Sequence, residues 1–566
     1  MGKIIKRKYM KRIVTLLLIT IFIFSLRTQA QETQKQEENK TADLAAAARL
    51  LDLKFTQQEL DTMYEGVQEN LANYRLMHGQ SLANQVPMSL WQNPLLPGMK
   101  LDTRPDKIKW KLPATEMPAN KNELAFYSLG QLAYLIKNKK ISSAELTEFF
   151  IQRIKKYGDT LHCVISITEA IAREQAQAAD EEIAAGKYRG PLHGIPYGLK
   201  DLFAVKSTKT TWGAAPYQNQ AIETDAFVYH QLKAAGAVLV AKFTLGALAM
   251  GDYWYGGRTR NPWNIATGSS GSSAGSASAT AAGLVPFAIG TETWGSIISP
   301  ASTCGLTGLR PTFGSVSRSG GMTLSWSLDK IGPICRSATD AAMVFAYIHG
   351  TDGEDASAVN ARFNYQPNNS RSLKIAYAKN YYNRITDTAR SEWKVLQAFR
   401  DAGYTLIPVD FPDSTAYPFN IMDVVISAEA AAAFDDFTRN NVDDEMTRQG
   451  KYDWPNSFRV SRLMSAVEYV NANRHRYLLM KKMQELMSTV DVIICPTRGS
   501  GNQSAITNLT GHPAVCVPTG FDSRSKLPTS ITFIGQLYEE GKLISVVEAY
   551  QQLTNWHLQH PEWVKQ

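Results

Sequence analysis

The chain has 566 residues, of which 44% are apolar and 20% charged, with 38 glycines and 24 prolines. This is an ordinary globular composition and excludes collagen-like, disordered and disulfide-scaffold classes. The formal charge is +8. Seven of the basic residues lie in the first thirty positions, which hold no acid, so the rest of the chain is close to charge balance and offers no general attraction for nucleic acid.

In chain order, Lys3 to Arg12 is a basic segment, Ile13 to Leu26 a nearly continuous apolar run, and Thr28-Gln29-Ala30 a small-residue cleavage site. That layout predicts a secretory signal peptide over residues 1–30. The apolar run is too short for a comfortable span, which needs about 20 residues. The expectation is therefore cleavage, no stable membrane anchor afterwards, and a periplasmic or secreted protein. Five scattered cysteines (Cys163, Cys304, Cys335, Cys495, Cys516) form no C-x-x-C pair and read as buried small hydrophobes.

Asp43 to Met77 has helical apolar spacing, and Thr56-Gln57-Gln58-Glu59 is a capping box that starts a second helix within it. Residues 84–119 hold six prolines and read as an extended wrap. A second capping box, Ser142 to Glu145, opens a helix expected to reach about Lys156. Strands are predicted at Ile195 to Leu199 and Val238 to Ala241, with a helix over Ala226 to Ala235 between them. Leu284 to Ile289 and Val492 to Cys495 are further short apolar runs. The alternation predicts a layered α/β core. Motifs for zinc proteases, P-loops and dinucleotide binding are absent, so no metal or organic cofactor is expected.

Gly268 to Gly283 reads GSSGSSAGSASATAAG. In isolation this is the composition of a flexible linker. Its second half, however, is alanine-rich and favours helix, and small residues leading into a helix permit close backbone approach. The stretch continues as Ala288-Ile289-Gly290-Thr291-Glu292-Thr293-Trp294-Gly295-Ser296-Ile297-Ile298-Ser299-Pro300. Together these segments resemble the signature of the amidase signature family. Gly194-Ile195-Pro196-Tyr197-Gly198-Leu199-Lys200-Asp201 is similar to that family's lysine strand. The segments 248–251, 259–263, 305–312 and 511–518 also resemble family motifs, in family order. The resemblance covers roughly residues 120 to 560.

The resemblance implies a mixed twisted β-sheet covered by helices on both faces (120–566), preceded by a helical N-terminal extension and extended linker (31–119). It also implies hydrolysis of carboxamide C–N bonds in a small-molecule amide through a serine acyl-enzyme. By position the nucleophile is Ser296, the bridging cis-serine Ser272 and the base Lys200, with Ser273 and Glu292 in support. The implied oxyanion hole is the backbone N–H groups of Thr293, Trp294, Gly295 and Ser296. Such a lysine must be neutral to act. Its ordinary pKa is about 10.4, a useful base sits near about 7–8, and burial supplies the shift. Asp201, next along the strand, is expected on the opposite face. The chain departs from the common pattern at Glu292 (usually Asp), Trp294 (usually Gly), Ile298 (usually Arg), and Ser270 and Ala274 (usually Gly). Trp294 either lines the acyl pocket or fills core. Residues 352–488 are expected to shape the substrate pocket.

Three rivals remain at this point. Gly271 to Gly275 formally matches the elbow G-x-S-x-G, which would make Ser273 the nucleophile of an α/β-hydrolase with a later histidine. A catalytically inactive amidase-like binding protein is the non-enzyme alternative. Leu50 to Met77 faintly resembles the small protein that partners the A-type subunit of glutamyl-tRNA amidotransferase, which suggests an aminoacyl-tRNA amidotransferase A-type subunit.

Overall fold

The computed structural model describes residues 40–49, 53–79, 94–414, 417–418, 420–499 and 502–565. Residues 1–30, where a signal peptide is expected, lie outside the described residues, as do 84–93 of the proline-rich stretch. No helix among the described residues is long and apolar enough to cross a membrane.

Fifteen strands are present among the described residues. They are β1 (Val164–Ile167), β2 (Pro196–Lys200), β3 (Val238–Phe243), β4 (Tyr253–Trp254), β5 (Gly257–Arg258), β6 (Arg260–Asn261), β7 (Asn264–Gly268), β8 (Ala288–Glu292), β9 (Thr307–Arg310), β10 (Lys330–Cys335), β11 (Ile375–Ala378), β12 (Leu406–Val409), β13 (Val492–Pro496), β14 (Ala514–Phe521) and β15 (Pro528–Gly535). Eleven form one mixed sheet in the order β1-β3-β2-β8-β10-β9-β14-β15-β13-β11-β12, while β4-β5 and β6-β7 are separate ribbons. The parallel pairs are β2-β3, β2-β8, β11-β12 and β11-β13; the remaining neighbours run antiparallel.

The first three residues of β3 alternate between opposite cores, as the strand period requires. Val238 and Val240 pack with Ile151 and Ala172, from helices Ser143–Leu161 and Glu169–Ala184. Leu239 packs with Leu132 and Ala341, from helices Leu129–Lys137 and Ala338–Ile348. Helices thus cover both faces, and β2, β3, β10 and β13 are buried along their whole length. This is why they read as continuous apolar runs rather than alternating ones.

Both capping boxes form. Thr56 starts the helix Gln57–His78 and Ser142 the helix Ser143–Leu161, which runs a turn past the expected Lys156 and ends at His162 in the left-handed conformation. The helix Gln57–His78 lies on the 420–490 region through Leu60, Met63 and Val460. The run Leu284 to Ile289 is not itself a strand. It turns first, and the strand spans Ala288–Glu292. Its first four residues are instead buried as a loop behind helix Ala274–Ala281. All five cysteines are buried free thiols.

Candidate active site

The serine–glycine stretch is not a linker. Ala274–Ala281 is a helix with every residue buried, and its small side chains are required by its neighbours. A Cβ on Gly275 would stand 2.5 Å from the Cys163 carbonyl oxygen and from the Thr244 nitrogen. One on Gly271 would stand 1.8 Å from the Gly251 oxygen. Only glycine lets the 270–272 turn lie against the 247–253 loop.

That turn delivers Ser272 to the end of β2. The Gly271–Ser272 peptide is cis. Lys200, the last residue of β2, places its Nζ 2.7 Å from Ser272 Oγ and 2.8 Å from Thr291 Oγ1 on the neighbouring strand β8. The lysine side chain is wholly buried. Burial pushes its pKa down to about 7, against the opposing pull of Asp329 and Glu292. A buried amine of this kind is half neutral near pH 7. Asp201 points to the other face, where its carboxylate pairs with Lys242 at 2.9 Å and accepts from the N–H and hydroxyl of Thr211. It therefore does not neutralise Lys200.

Ser273 is also buried, and its hydroxyl is engaged by backbone. It donates to the Thr291 carbonyl and accepts from the Thr291 N–H, both at 3.1 Å. The Ser273 N–H donates to the Ser296 carbonyl at 3.1 Å, which ties the 272–273 turn to the 293–298 turn. The segment before Gly271 is the ribbon strand β7, exposed over its first three residues, not the buried strand that a nucleophile elbow follows. Among the described residues no histidine hydrogen-bonds Ser272, Ser273 or Ser296. His512 is buried on Thr510 Oγ1 and His349 lies on Asp106.

The turn carrying Ser296 follows β8 directly. Glu292, the last residue of that strand, is completely buried. Its Oε2 accepts from the N–H groups of Ile297 and Ile298, both at 2.9 Å. Its Oε1 meets Arg310 Nη1 and Asn508 Nδ2, each at 2.9 Å. Burial alone would raise its pKa, but the Arg310 guanidinium and these donors bring it down to about 2. At the other end of the turn, the Thr293 hydroxyl donates to Asp329 Oδ1 at 2.5 Å. Between these anchors the N–H groups of Trp294, Gly295 and Ser296 have no hydrogen-bond partner among the described residues. Ser296 is half-buried. Trp294 is 42% exposed, so its ring does not fill core.

The structure thus gathers Lys200, Ser272, Ser273, Glu292, Thr293, Trp294, Gly295 and Ser296 into one region. Thr291 and Arg310, which lie in the quoted motif segments without an assigned role, and Asp329 and Asn508, which lie in none, join them there. A cleft of about 210 Å³ lies between Ala247–Tyr253 and Met446–Trp454, and its first wall includes Gly251, against which Gly271 packs. The second wall belongs to the 352–488 segment expected to shape the pocket. Among the described residues, no group of three or more His, Cys, Asp or Glu side chains is placed to hold a metal ion.

Comparison with known proteins bears on the family and the fold. The family described as Amidase matches residues 145–544. The A-type subunit of the glutamyl-tRNA(Gln) amidotransferase of Coxiella burnetii (strain RSA 493 / Nine Mile phase I) is 33% identical over 480 residues, covering 77% of this chain and 99% of that protein. The crystal structure of the peptide amidase from Stenotrophomonas maltophilia superposes with a TM-score of 0.67 at 28% identity, covering 77% of this chain and 98% of that one. A bacterial aryl acylamidase of the amidase signature family superposes with a TM-score of 0.66 at 22% identity, covering 76% and 98%, and bears on the fold alone.

Proposed function

The chain belongs to the amidase signature family and is a hydrolase of amide C–N bonds, and we propose that it works through an acyl-enzyme on Ser296, with Ser272 relaying the proton to Lys200. The single observation that carries this reading is the buried Lys200 amine 2.7 Å from Ser272 Oγ. A serine attacks an amide only if its proton has a destination. In the neutral state Lys200 accepts the Ser272 proton while Ser272 takes that of Ser296. Ser296 Oγ then bonds to the amide carbon, and the carbonyl oxygen gains the negative charge. The N–H groups of Trp294, Gly295 and Ser296 are the donors for that oxyanion, with Thr293 at the head of the turn. One such donor is worth about 3–4 kcal/mol by deletion. The C–N bond breaks as the proton returns through Ser272 to the leaving nitrogen. Water then attacks the acyl-enzyme by the same route, releasing the acid and restoring Ser296.

The substrate is a small amide. The N-terminal layout of charge, apolar run and small-residue site supports secretion or a periplasmic location for the mature protein, beginning near Gln31. The test is direct. Purified enzyme incubated with aryl, fatty-acyl, amino-acid and peptide amides should release acid and amine in equal amounts, and cell fractionation should find it outside the cytosol. Finding an unprocessed N-terminus in the cytosol contradicts the second part.

A second reading is favoured by one observation: the 33% identity to the amidotransferase A-type subunit spans 99% of that protein. On that reading the chain passes ammonia from glutamine to a charged tRNA with partner proteins. The near charge balance and the N-terminal segment oppose it, as does a helix Gln57–His78 already packed on this chain's own core. Transfer of glutamine amide nitrogen to glutamyl-tRNA, without free-amide hydrolysis, would establish it instead.

A further inference from the structure

Asp329 occupies a position in the site that the catalytic scheme above does not use. It ends the loop that leads into β10, and it is buried. One carboxylate oxygen accepts from Thr293 Oγ1 at 2.5 Å. The other accepts from the N–H groups of Leu324 and Ser325 at 2.8 and 2.9 Å. Three donors converge on one carboxylate, and they come from two segments that share no backbone bond with each other. The loop it grips is itself anchored. The Ser325 and Ser327 hydroxyls donate to Glu429 on helix Ile421–Ala433, which also accepts from Tyr469 OH at 2.8 Å. Arg476 Nη2 donates to the Ser327 carbonyl at 2.8 Å. The turn that bears Ser296 is therefore held at both ends by buried carboxylates, Glu292 at Ile297–Ile298 and Asp329 at Thr293.

We propose that Asp329 is a positioning residue for amide hydrolysis: by fixing the Thr293 hydroxyl against the 324–325 backbone it sets the aim of the Trp294, Gly295 and Ser296 N–H groups on the oxyanion. The proposal rests on the reading of Ser296 as nucleophile. Its physical content is preorganisation. Donors held before the reaction cost no reorganisation when charge develops, and a loosened turn keeps substrate contacts but loses those made only in the transition state. The Arg318 guanidinium is paired with Asp355 at 2.8 and 2.9 Å, and although Arg318 and Lys200 feel the charge of Asp329, the hydrogen bonds of its carboxylate go to Thr293, Leu324 and Ser325. Asp329 is thus left to the turn.

A fluorophosphonate probe tests this without knowledge of the natural amide. Ser296 Oγ forms the O–P bond, fluoride leaves, the proton passes to Lys200, and the phosphoryl oxygen sits where the oxyanion would. The saturating rate and the half-saturating concentration are measured separately on Asp329→Asn, Thr293→Val and Thr293→Ser. Asp329→Asn and Thr293→Val should each lower the saturating rate about 100-fold, the scale of one lost oxyanion contact, with half-saturation nearly unchanged. Thr293→Ser keeps the hydroxyl and should label at least about tenfold faster than Thr293→Val. The double variant should be little slower than the slower single, as for two residues acting as one unit. If Asp329→Asn does not fold, the Thr293 pair decides the matter. Equal rates for Ser and Val at 293, or a saturating rate within about threefold of wild type in Asp329→Asn, overturns the proposal. A wild-type enzyme that does not label at Ser296 refutes the nucleophile assignment instead, so the two failures are distinct.

Discussion

Lys200 Nζ and Ser272 Oγ lie 2.7 Å apart with the lysine wholly buried and its neighbouring carboxylate, Asp201, committed to Lys242 on the other face. The strand period separates these two adjacent residues, so one carries an ion pair and the other an amine able to lose its proton. This separation sets the pH behaviour of the enzyme.

The rate at limiting substrate should rise with pH and level off above about 7, the value to which burial brings Lys200. The base acts when neutral, so activity is lost as pH falls through that value. Lys200→Ala should abolish the limb with most of the activity. Lys200→Arg keeps charge but does not act as a base at ordinary pH, and should be nearly as damaging. A substantially active Lys200→Arg enzyme would contradict proton relay.

The same shift has a consequence for stability. The folded pKa of Lys200 is about 7 against an ordinary 10.5. Between those values the unfolded chain binds more protons, so wild-type stability rises with pH across that window. The deficit is greatest below pH 7, roughly 5 kcal/mol by linkage. Lys200→Met, which removes the amine, should gain on wild type below pH 7 and lose that advantage steadily towards pH 10. Denaturant titrations at pH 7, 8.5 and 10 measure the difference; a constant difference would contradict the buried-amine account.

Glu292→Gln should unfold more readily and lose activity. Leaving Arg310 buried without its carboxylate costs roughly 3–5 kcal/mol, and the Ile297–Ile298 turn loses its charged acceptor. The wild-type carboxylate has a pKa depressed to about 2 from 4.5. Its contribution is therefore complete above 4.5 and lost as pH falls towards 2, about 3 kcal/mol in all. Thermal unfolding between pH 6 and 3 should show a steeper acid decline in wild type than in the variant.

Arg459 clamps the N-terminal helix. Its guanidinium lies 2.9 Å from Glu59, 2.6 Å from Asp443 and 2.9 Å from Asp444. Arg459→Ala should raise amide exchange across Gln57–His78 about tenfold or more, the equivalent of 1.4 kcal/mol, with hydrolysis retained. Unchanged exchange there would show that the other anchors of the helix, Leu60 and Met63 and the Lys451 pairs with Glu65 and Glu69, hold it without Arg459.

Much of this was legible locally. Thr56 and Ser142 announce their helices because a capping box is a four-residue pattern. Pro196–Lys200 and Val238–Phe243 read as strands because both of their faces are buried. Leu284 to Ile289 was legible only as an apolar run, because such a run reports burial and not where a strand begins; the strand is Ala288–Glu292. Of the grip on the Ser296 turn only Glu292 was legible, through the family resemblance; its partners and the Asp329 end were not. Asp329 meets Thr293 across 36 residues, and Asn508 meets Glu292 across 216. Such bonds leave no periodic trace, and Thr291, which shares Lys200 with Ser272, lies within a strand whose apolar neighbours dominate the reading. Trp294 was ambiguous for a related reason: a single aromatic residue in a turn has no pattern to say which way it points.

The central claim is that Ser296 carries the acyl group. The most direct measurement is rapid acid quench of the enzyme during turnover of an activated amide, followed by peptide mass mapping. The account predicts an acyl adduct on the peptide containing Ser296, absent in Ser296→Ala and formed slowly in Lys200→Ala. An adduct on Ser273, or an undiminished adduct in Ser296→Ala, would contradict it.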